Sequence, residues 1–503
     1  MAGFKSRIFH TVVGSSSELG ADTLVYFCFE SDKPSGTLLK TLDTATGGAV
    51  SAVYESGEFA GESNTTALFR APVEWGTRNI LLAGVGKRAG NKPDDFRQAA
   101  GTVSRHVALK KAGEILFDCQ SALDAVRAQA LVEGYRLGRW KMTDYKSDPE
   151  AKEEVRQTIN IVCANRTAER KILKGVERGA IIAAAVSQCR RLSFHPSNFL
   201  TPAKLAEKAK ELGRRDGFSV KVLTVEQIKK ERMGALLGVN QGSAENQARF
   251  IIMQYDGGRA GQAPVVLVGK GVTFDTGGIS LKPGMNMHEM KGDMTGSAVV
   301  ISTISALARL GVKLNVVGLV PTTENMPSGT ALKPGDIVTA RNGKTIEIIN
   351  TDAEGRLILA DALDYANKFN PQAVIDIATL TGATLYSLGY AGAPIFGTSK
   401  PIMDRLRSGS KATAEKVWEM PLWPEYTKQM KSAIADLVNS GGRPAGTATA
   451  AAFLKEFIGD YPWGHIDIAY VDLEPSGQPY VPKGPSGFGV RLLIETLSNW
   501  KKM

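Results

Sequence analysis

Seven residues in the second half of the chain could do chemistry together: Lys270, Asp275, Lys282, Asp293, Asp352, Glu354 and Arg356. They fall in three short stretches. Val268–Ser280 reads VGKGVTFDTGGIS and runs on into Leu281-Lys282-Pro283; Met290–Gly296 reads MKGDMTG; Asn350–Arg356 reads NTDAEGR. Several carboxylates in one crevice form an oxygen-rich site for divalent cations, and a carboxylate can bridge two metals. Such a pair would neutralise the like charges, activate a water and polarise a carbonyl. An amine joins that set only when deprotonated, which nearby cations favour. Lys282 and Arg356 would remain fixed positive charges, suited to an oxyanion or a bound anion. Acids are also favoured at helix N-termini, and loop acids paired with loop bases would give the same composition. Spacing alone leaves these readings open.

The elements around these stretches are legible from periodicity. Thr345–Ile349 alternates apolar and polar residues, and Leu357–Phe369 repeats with helical period. Asn350–Arg356 is then the turn between a strand and a helix, the place where open α/β sheets bind ligands. In extended backbone Asp352 and Glu354, two apart, would project to one face. Further strands are expected at Ser219–Leu223, Phe250–Tyr255, Val265–Val268, Leu314–Leu319, Ala373–Ile377 and His465–Ile468. Helices are expected at Ser297–Leu310, Arg356–Phe369, Lys400–Ala414, Thr447–Phe457 and Val490–Asn499. That alternation implies a mostly parallel sheet flanked by helices. Ile337–Ile349, turning at Asn342-Gly343, reads as an inserted antiparallel hairpin.

A chain of 503 residues is too long for one hydrophobic core. The expected architecture is α/β: a smaller N-terminal domain at 1–165, a connecting helix at 166–192, and a larger catalytic domain at 193–503. The N-terminal part alternates strands (Thr23–Phe29, Asn79–Ala83, Glu114–Phe117, Thr158–Cys163) with helices (Asp94–Val107, Asp124–Tyr135). Lys141–Lys152 reads as a surface loop, and Gly84–Gly86 lacks the full dinucleotide fingerprint. The four cysteines show no CxxC spacing, and the five histidines include no helical ligand pair, so metal chemistry must rest on oxygen ligands. The net charge of +10 is spread along the chain rather than gathered into a basic patch, which favours a solvated surface over a nucleic-acid face. Neither a signal peptide nor a membrane span is read, so a cytoplasmic protein is expected.

NTDAEGRL at Asn350–Leu357 resembles the signature of the leucyl aminopeptidase family, the M17 peptidases of the bacterial aminopeptidase A type. The likeness extends through VGKGVTFDTGGISLKP, EMKGDMTG, ENMPSG at Glu324–Gly329 and ATLTGA at Ala378–Ala383. It continues in GGRPAG at Gly441–Gly446, HIDIA at His465–Ala469 and GFGVRLL at Gly487–Leu493. The resemblance implies two divalent metal ions per subunit, Mn2+ or Zn2+ with Mg2+ also admissible, on Lys270, Asp275, Asp293, Asp352 and Glu354. It assigns Lys282 to stabilising the oxyanion and Arg356 to holding a bicarbonate general base, with a metal-activated water as nucleophile. Met290, Thr379, Gly382 and Ala469 would line the pocket for the N-terminal side chain of a peptide substrate. A broad, leucine-like preference and a homohexamer are implied as well. Relatives that bind DNA on the same scaffold, and a specialised Cys-Gly dipeptidase, are the alternatives. This chain departs from the family pattern at Asn286, His288 and Gly292, and at Tyr470, which follows Ala469 where glycine is common. His288 reads as a surface-loop histidine rather than an extra ligand.

Overall fold

The computed structural model describes residues 9–16, 18–72, 75–119, 122–149 and 156–501. The loop expected at Lys141–Lys152 carries no strand or helix through Asp148, and its positions from 150 lie outside the described residues. The chain divides into two compact units: Met1–Ala184 with Ser476–Pro482, and Ala185–Pro475 with Lys483–Met503.

The first unit is built on a six-stranded sheet. Its strands are β1 (Phe9–Val13), β2 (Ala21–Phe29), β3 (Thr66–Arg70), β4 (Thr77–Gly86), β5 (Glu114–Asp118) and β6 (Thr158–Cys163), in the order β1-β6-β5-β2-β4-β3. All neighbours run parallel except β3, which pairs antiparallel with β4 at one edge. Helices α1 (Pro93–Ser104) and α2 (Ala125–Gly138) pack over an aromatic core of Phe9, Phe27, Phe96, Phe117 and Tyr135, whose rings meet mostly edge to face. The buried Arg97 of α1 pairs with the buried Glu133 of α2 at 2.8 Å, so neither charge is left alone in the core.

Helix α3 (Arg166–Phe194) runs from the first unit into the second. The second unit continues with α4 (Pro202–Asp216), β7 (Ser219–Leu223), α5 (Gly234–Asn240), β8 (Arg249–Asp256), β9 (Val265–Gly269) and β10 (Gly271–Asp275). Thr201 caps α4 by accepting from the Lys204 amide, with Pro202 at the first helical position. Next come α6 (Thr295–Leu310), β11 (Asn315–Asn325), β12 (Ile337–Thr339), β13 (Thr345–Glu347), α7 (Glu354–Ala366), β14 (Ala373–Ala378) and β15 (Ala393–Gly397). Then follow α8 (Lys400–Thr413), β16 (Val417–Glu419), β17 (Leu437–Val438), α9 (Gly446–Lys455), β18 (Trp463–Asp467) and α10 (Val490–Ser498).

The large sheet has nine strands in the order β16-β15-β18-β14-β9-β11-β8-β7, with β10 paired beside β11. Its centre, β18-β14-β9-β11, is parallel, and β15, β8 and β7 add antiparallel pairings toward the edges. Every residue of β9 (VVLVG) and β14 (AVIDIA) is buried, the near-continuous apolar run that a strand covered on both faces requires. Among the described residues no helix is long and apolar enough to cross a membrane.

The antiparallel hairpin expected at Ile337–Ile349 is present as β12 and β13, and two further features were not foreseen. The strand preceding Asn350–Arg356 is not in the large sheet: β13 pairs with β12 and β17 in a separate three-stranded sheet. The central strands have no free edge for it, since β9 is already flanked by β14 and β11, and β14 by β18 and β9. The glycine-containing stretch after Lys270, which carries Asp275, begins as a strand. Gly271 and Val272 pair with Thr322 and Thr323 of the long β11, and after a register shift Asp275 pairs with Asn325.

Candidate metal centre

The two lysines organise the charges. Lys270 sits between β9 and β10 and is 3% exposed. Its ammonium lies 2.8 Å from Asp293 Oδ1 and 2.9 Å from Glu354 Oε1, and it donates to the Thr379 carbonyl at 2.8 Å. Lys282, half-buried, lies 2.8 Å from Asp275 Oδ2 and also contacts Asp352 Oδ1. Each ammonium thus stands between two carboxylates. Burial works against the charge on Lys270, but the attraction of Asp293, Glu354 and Asp275 outweighs it and raises its pKa above the ordinary value. Burial pushes the carboxyls the other way. Asp293 is raised well above the usual range by burial with Glu354 and Asp275 adding repulsion, and Asp352 is raised to about 6 for the same kinds of reason.

Asp275, Asp293 and Glu354 are all buried, and one carboxylate oxygen from each lies within 4.8 Å of the others. Asp275 ends β10, Asp293 closes the short 3-10 turn Met287–Gly292 before α6, and Glu354 is the first residue of α7. The Asp293 Oδ2 atom is buried with no hydrogen-bond partner. A dry, unpaired carboxylate oxygen beside two other carboxylates is costly as it stands and would be satisfied by a cation. The donor set therefore fits hard divalent ions. Asp352 and Glu354 do not share an extended face. Ala353, with φ −108° and ψ 40°, is the helix N-cap between them, so Asp352 turns toward Lys282 and Glu354 toward Lys270.

Arg356 is 8% exposed and sits in the first turn of α7. Its Nη1 donates to the Asn439 carbonyl at 2.9 Å, while its Nε is buried without a partner. Burial lowers its pKa to about 10 against the pull of Glu354 and Asp467, so the guanidinium stays charged at neutral pH. A buried cation with an idle donor is suited to holding an anion.

Close backbone approach makes this assembly possible. A Cβ on Gly296 would lie 2.2 Å from the Ile377 carbonyl, so only glycine lets α6 start against the ends of β9 and β14. A Cβ on Gly355 would lie 2.7 Å from the Lys270 amine. Several residues that brace these carboxylates went unassigned in the sequence reading. Asn325 Nδ2 donates to Asp275 Oδ1 at 2.8 Å and to the Thr351 carbonyl at 3.1 Å, tying β10 to the turn. Thr351 Oγ1 in turn donates to Gly277 O at 2.6 Å and accepts from Ser280 N at 2.8 Å. Asn439 accepts from Ile349 N at 2.8 Å and donates to Asn350 O at 2.7 Å. Asn325 stood inside the ENMPSG motif; nothing in the sequence marked Asn439.

A cavity of about 840 Å³ adjoins the centre, lined by Asp352, Arg356, Gly382, Tyr386, Met420 and Arg443 among others. Of the four residues expected around the substrate side chain, Gly382 lines this cavity. Thr379 instead donates its hydroxyl to Asp293 Oδ1 at 2.8 Å, which makes it a support for that carboxylate. Met290 is half-buried in the 3-10 turn, and Ala469 lies in the turn after β18, its carbonyl accepting from Thr384 Oγ1 at 3.1 Å.

The sequence profile of the cytosol aminopeptidase family, catalytic domain, matches residues 187–494, and that of the family's N-terminal domain matches residues 25–149. A probable cytosol aminopeptidase of Syntrophotalea carbinolica is 43% identical over 471 residues, 93% of this chain and 95% of its own length. One from Paraburkholderia xenovorans is also 43% identical, over 95% of this chain and 94% of its own. A variant of tomato leucine aminopeptidase superposes with a TM-score of 0.88 at 31% identity, covering 98% of this chain and 96% of that one. The bottromycin maturation enzyme BotP, in complex with Mn, superposes with a TM-score of 0.83 at 32% identity, covering 95% of this chain and 99% of its own.

Proposed function

Starting from the chain's membership of the cytosol aminopeptidase family, and hence its nature as an aminopeptidase, we propose that it is a dinuclear metal-dependent enzyme. It releases N-terminal residues from peptides, with leucine-like side chains preferred over a broad range. The observation that carries this reading is the buried trio Asp275, Asp293 and Glu354, with its unpaired Asp293 oxygen, set between two lysines.

Lys270, Asp275, Asp293, Asp352 and Glu354 would hold two divalent cations, manganese or zinc and also magnesium; the BotP neighbour, described in complex with Mn, supports such an ion. When bound, that pair supplies an activated water and a Lewis acid for the peptide carbonyl. The chain's own residues do the rest. Lys282, half-buried beside Asp275 and Asp352, would present its ammonium to the developing oxyanion. Arg356, with Nε unpaired, holds a bicarbonate as general base beside the centre. Gly382, which lines the cavity, would border the N-terminal side chain together with Met290 and Ala469, while Thr379 braces Asp293; such apolar and small groups discriminate weakly, by about 1–3 kcal/mol per methylene. The enzyme works in the cytoplasm as a homohexamer.

Hydrolysis of a leucine anilide by the Asp352→Asn variant and by chelator-stripped protein tests the reading. Both should lose turnover while keeping the far-ultraviolet dichroism of the native chain. Undiminished turnover in either would overturn it.

A further inference from the structure

Tyr470 departs from the family pattern, and its backbone shows why the departure matters. Its φ is +69°, a left-handed conformation that glycine adopts freely and a bulky side chain rarely does. Such a conformation persists only where the surroundings over-determine it, and such sites cluster at binding sites. Here the residues on both sides are pinned. Ala469 donates its amide to Asp467 Oδ1 at 3.2 Å and accepts from Thr384 Oγ1 at 3.1 Å, and the Asp472 amide closes the turn on Ile468 O at 3.0 Å.

The side chain runs from this turn toward the Gly382 loop. The phenol oxygen reaches to 3.8 Å from where a Cβ on Gly382 would stand, leaving room for about a methyl group between them. The ring packs edge-on against Tyr390, with centroids 5.8 Å apart and planes at 86°. Lys282 is near enough for its charge to act on the phenol. A glycine at this position would leave the space open between the Ala469 turn and the Gly382 loop.

We propose that Tyr470 sets the upper size limit of the pocket for the substrate's N-terminal side chain, admitting leucine-sized groups and excluding aromatic ones. The inference rests on the aminopeptidase reading and on Gly382, which lines the cavity, bordering that pocket. It concerns the bulk of the ring rather than its hydroxyl.

The test compares kcat/KM for phenylalanine and leucine anilides in Mn2+-loaded wild-type, Tyr470→Gly and Tyr470→Phe enzymes. Glycine suits the backbone at this position, so the first variant is not expected to fail in folding. Tyr470→Gly should raise the phenylalanine-to-leucine ratio at least tenfold, the order that a single methylene of fit commands. Tyr470→Phe should stay within threefold of wild type. A ratio in Tyr470→Gly within threefold of wild type overturns the proposal, as does a Tyr470→Phe ratio that moves as far as that of Tyr470→Gly. Wild-type turnover of the leucine anilide is the control; without it the aminopeptidase reading falls, and the size limit with it.

Discussion

Lys270 is the residue whose removal separates the electrostatics of the centre from its catalysis. Its ammonium meets two carboxylates and the Thr379 carbonyl, so its three protons are all engaged inside the protein. Substituting Lys270→Met keeps the bulk but leaves Asp293 and Glu354 buried beside Asp275 without the ammonium that contacts them both. Breaking a buried pair from one side typically costs about 3–5 kcal/mol. The variant should therefore lose stability of that order in chelator-treated protein, read from the denaturant midpoint. Adding Mn2+ should shrink the deficit, because a cation can take over the neutralising role. Equal deficits with and without Mn2+ would show that the carboxylates do not share a cation with this lysine. The sequence made these seven charged residues visible through their motifs. It could not show that Lys270 and Lys282 each bridge a different pair of acids, because those pairs join residues from separate stretches of the chain.

At the scale of elements, the site depends on how closely helices approach strand ends. Gly296→Ala puts a methyl group 2.2 Å from the Ile377 carbonyl and 2.9 Å from the Lys270 amide, both backbone atoms that cannot swing aside. Overpacking of this kind costs about 1–3 kcal/mol, and it should also weaken Mn2+ binding, because Asp293 lies just before the displaced turn. Titration calorimetry giving wild-type affinity would show that α6 does not position the ligand. Helix α7 carries a second dependency. Asp361, wholly buried, accepts from Leu236 N at 2.9 Å and Arg341 N at 2.7 Å, tying α5 and the β12–β13 hairpin to α7. Burial raises its pKa from 3.8 to about 7, with those amides pulling the other way. A group whose folded pKa is raised contributes stability below its unfolded pKa and loses it as pH climbs through the folded one. Between about pH 4 and pH 7 the wild type should lose stability through Asp361, and Asp361→Asn should not. The stability difference, variant minus wild type, should move in the variant's favour from pH 5 to pH 8. A difference independent of pH would remove Asp361 from the titration. Periodicity found the long elements, since α6, α7, β9 and β14 are strongly patterned and buried. It missed β15, where Gly392 and Pro394 disguise a short strand, and although it read the antiparallel β12–β13 hairpin it did not foresee the pairing of β13 with β17. A three-residue strand carries no pattern that says which sheet it joins.

For the whole molecule, two units with separate sheets and cores should answer a metal ion differently. Among the described residues, Asp275, Asp293 and Glu354 are the one group of three or more potential ligand side chains whose atoms come together, and all belong to the second unit. A ligand that binds only the folded state stabilises it by RT ln(1 + [L]/Kd), about 2.7 kcal/mol at a hundredfold excess over Kd. That corresponds to an upward shift of roughly 5 °C for a unit of this size. Calorimetry of chelator-treated protein, with and without excess Mn2+, should therefore show the transition of the larger unit rising while that of the smaller stays in place. Multi-domain chains need not melt in one step, so the two transitions are assigned by repeating the scan on Asp293→Asn. In that variant the larger unit's transition should lose most of its Mn2+ shift. If both transitions rise together, or the shift survives in Asp293→Asn, the ion is held somewhere other than between these carboxylates.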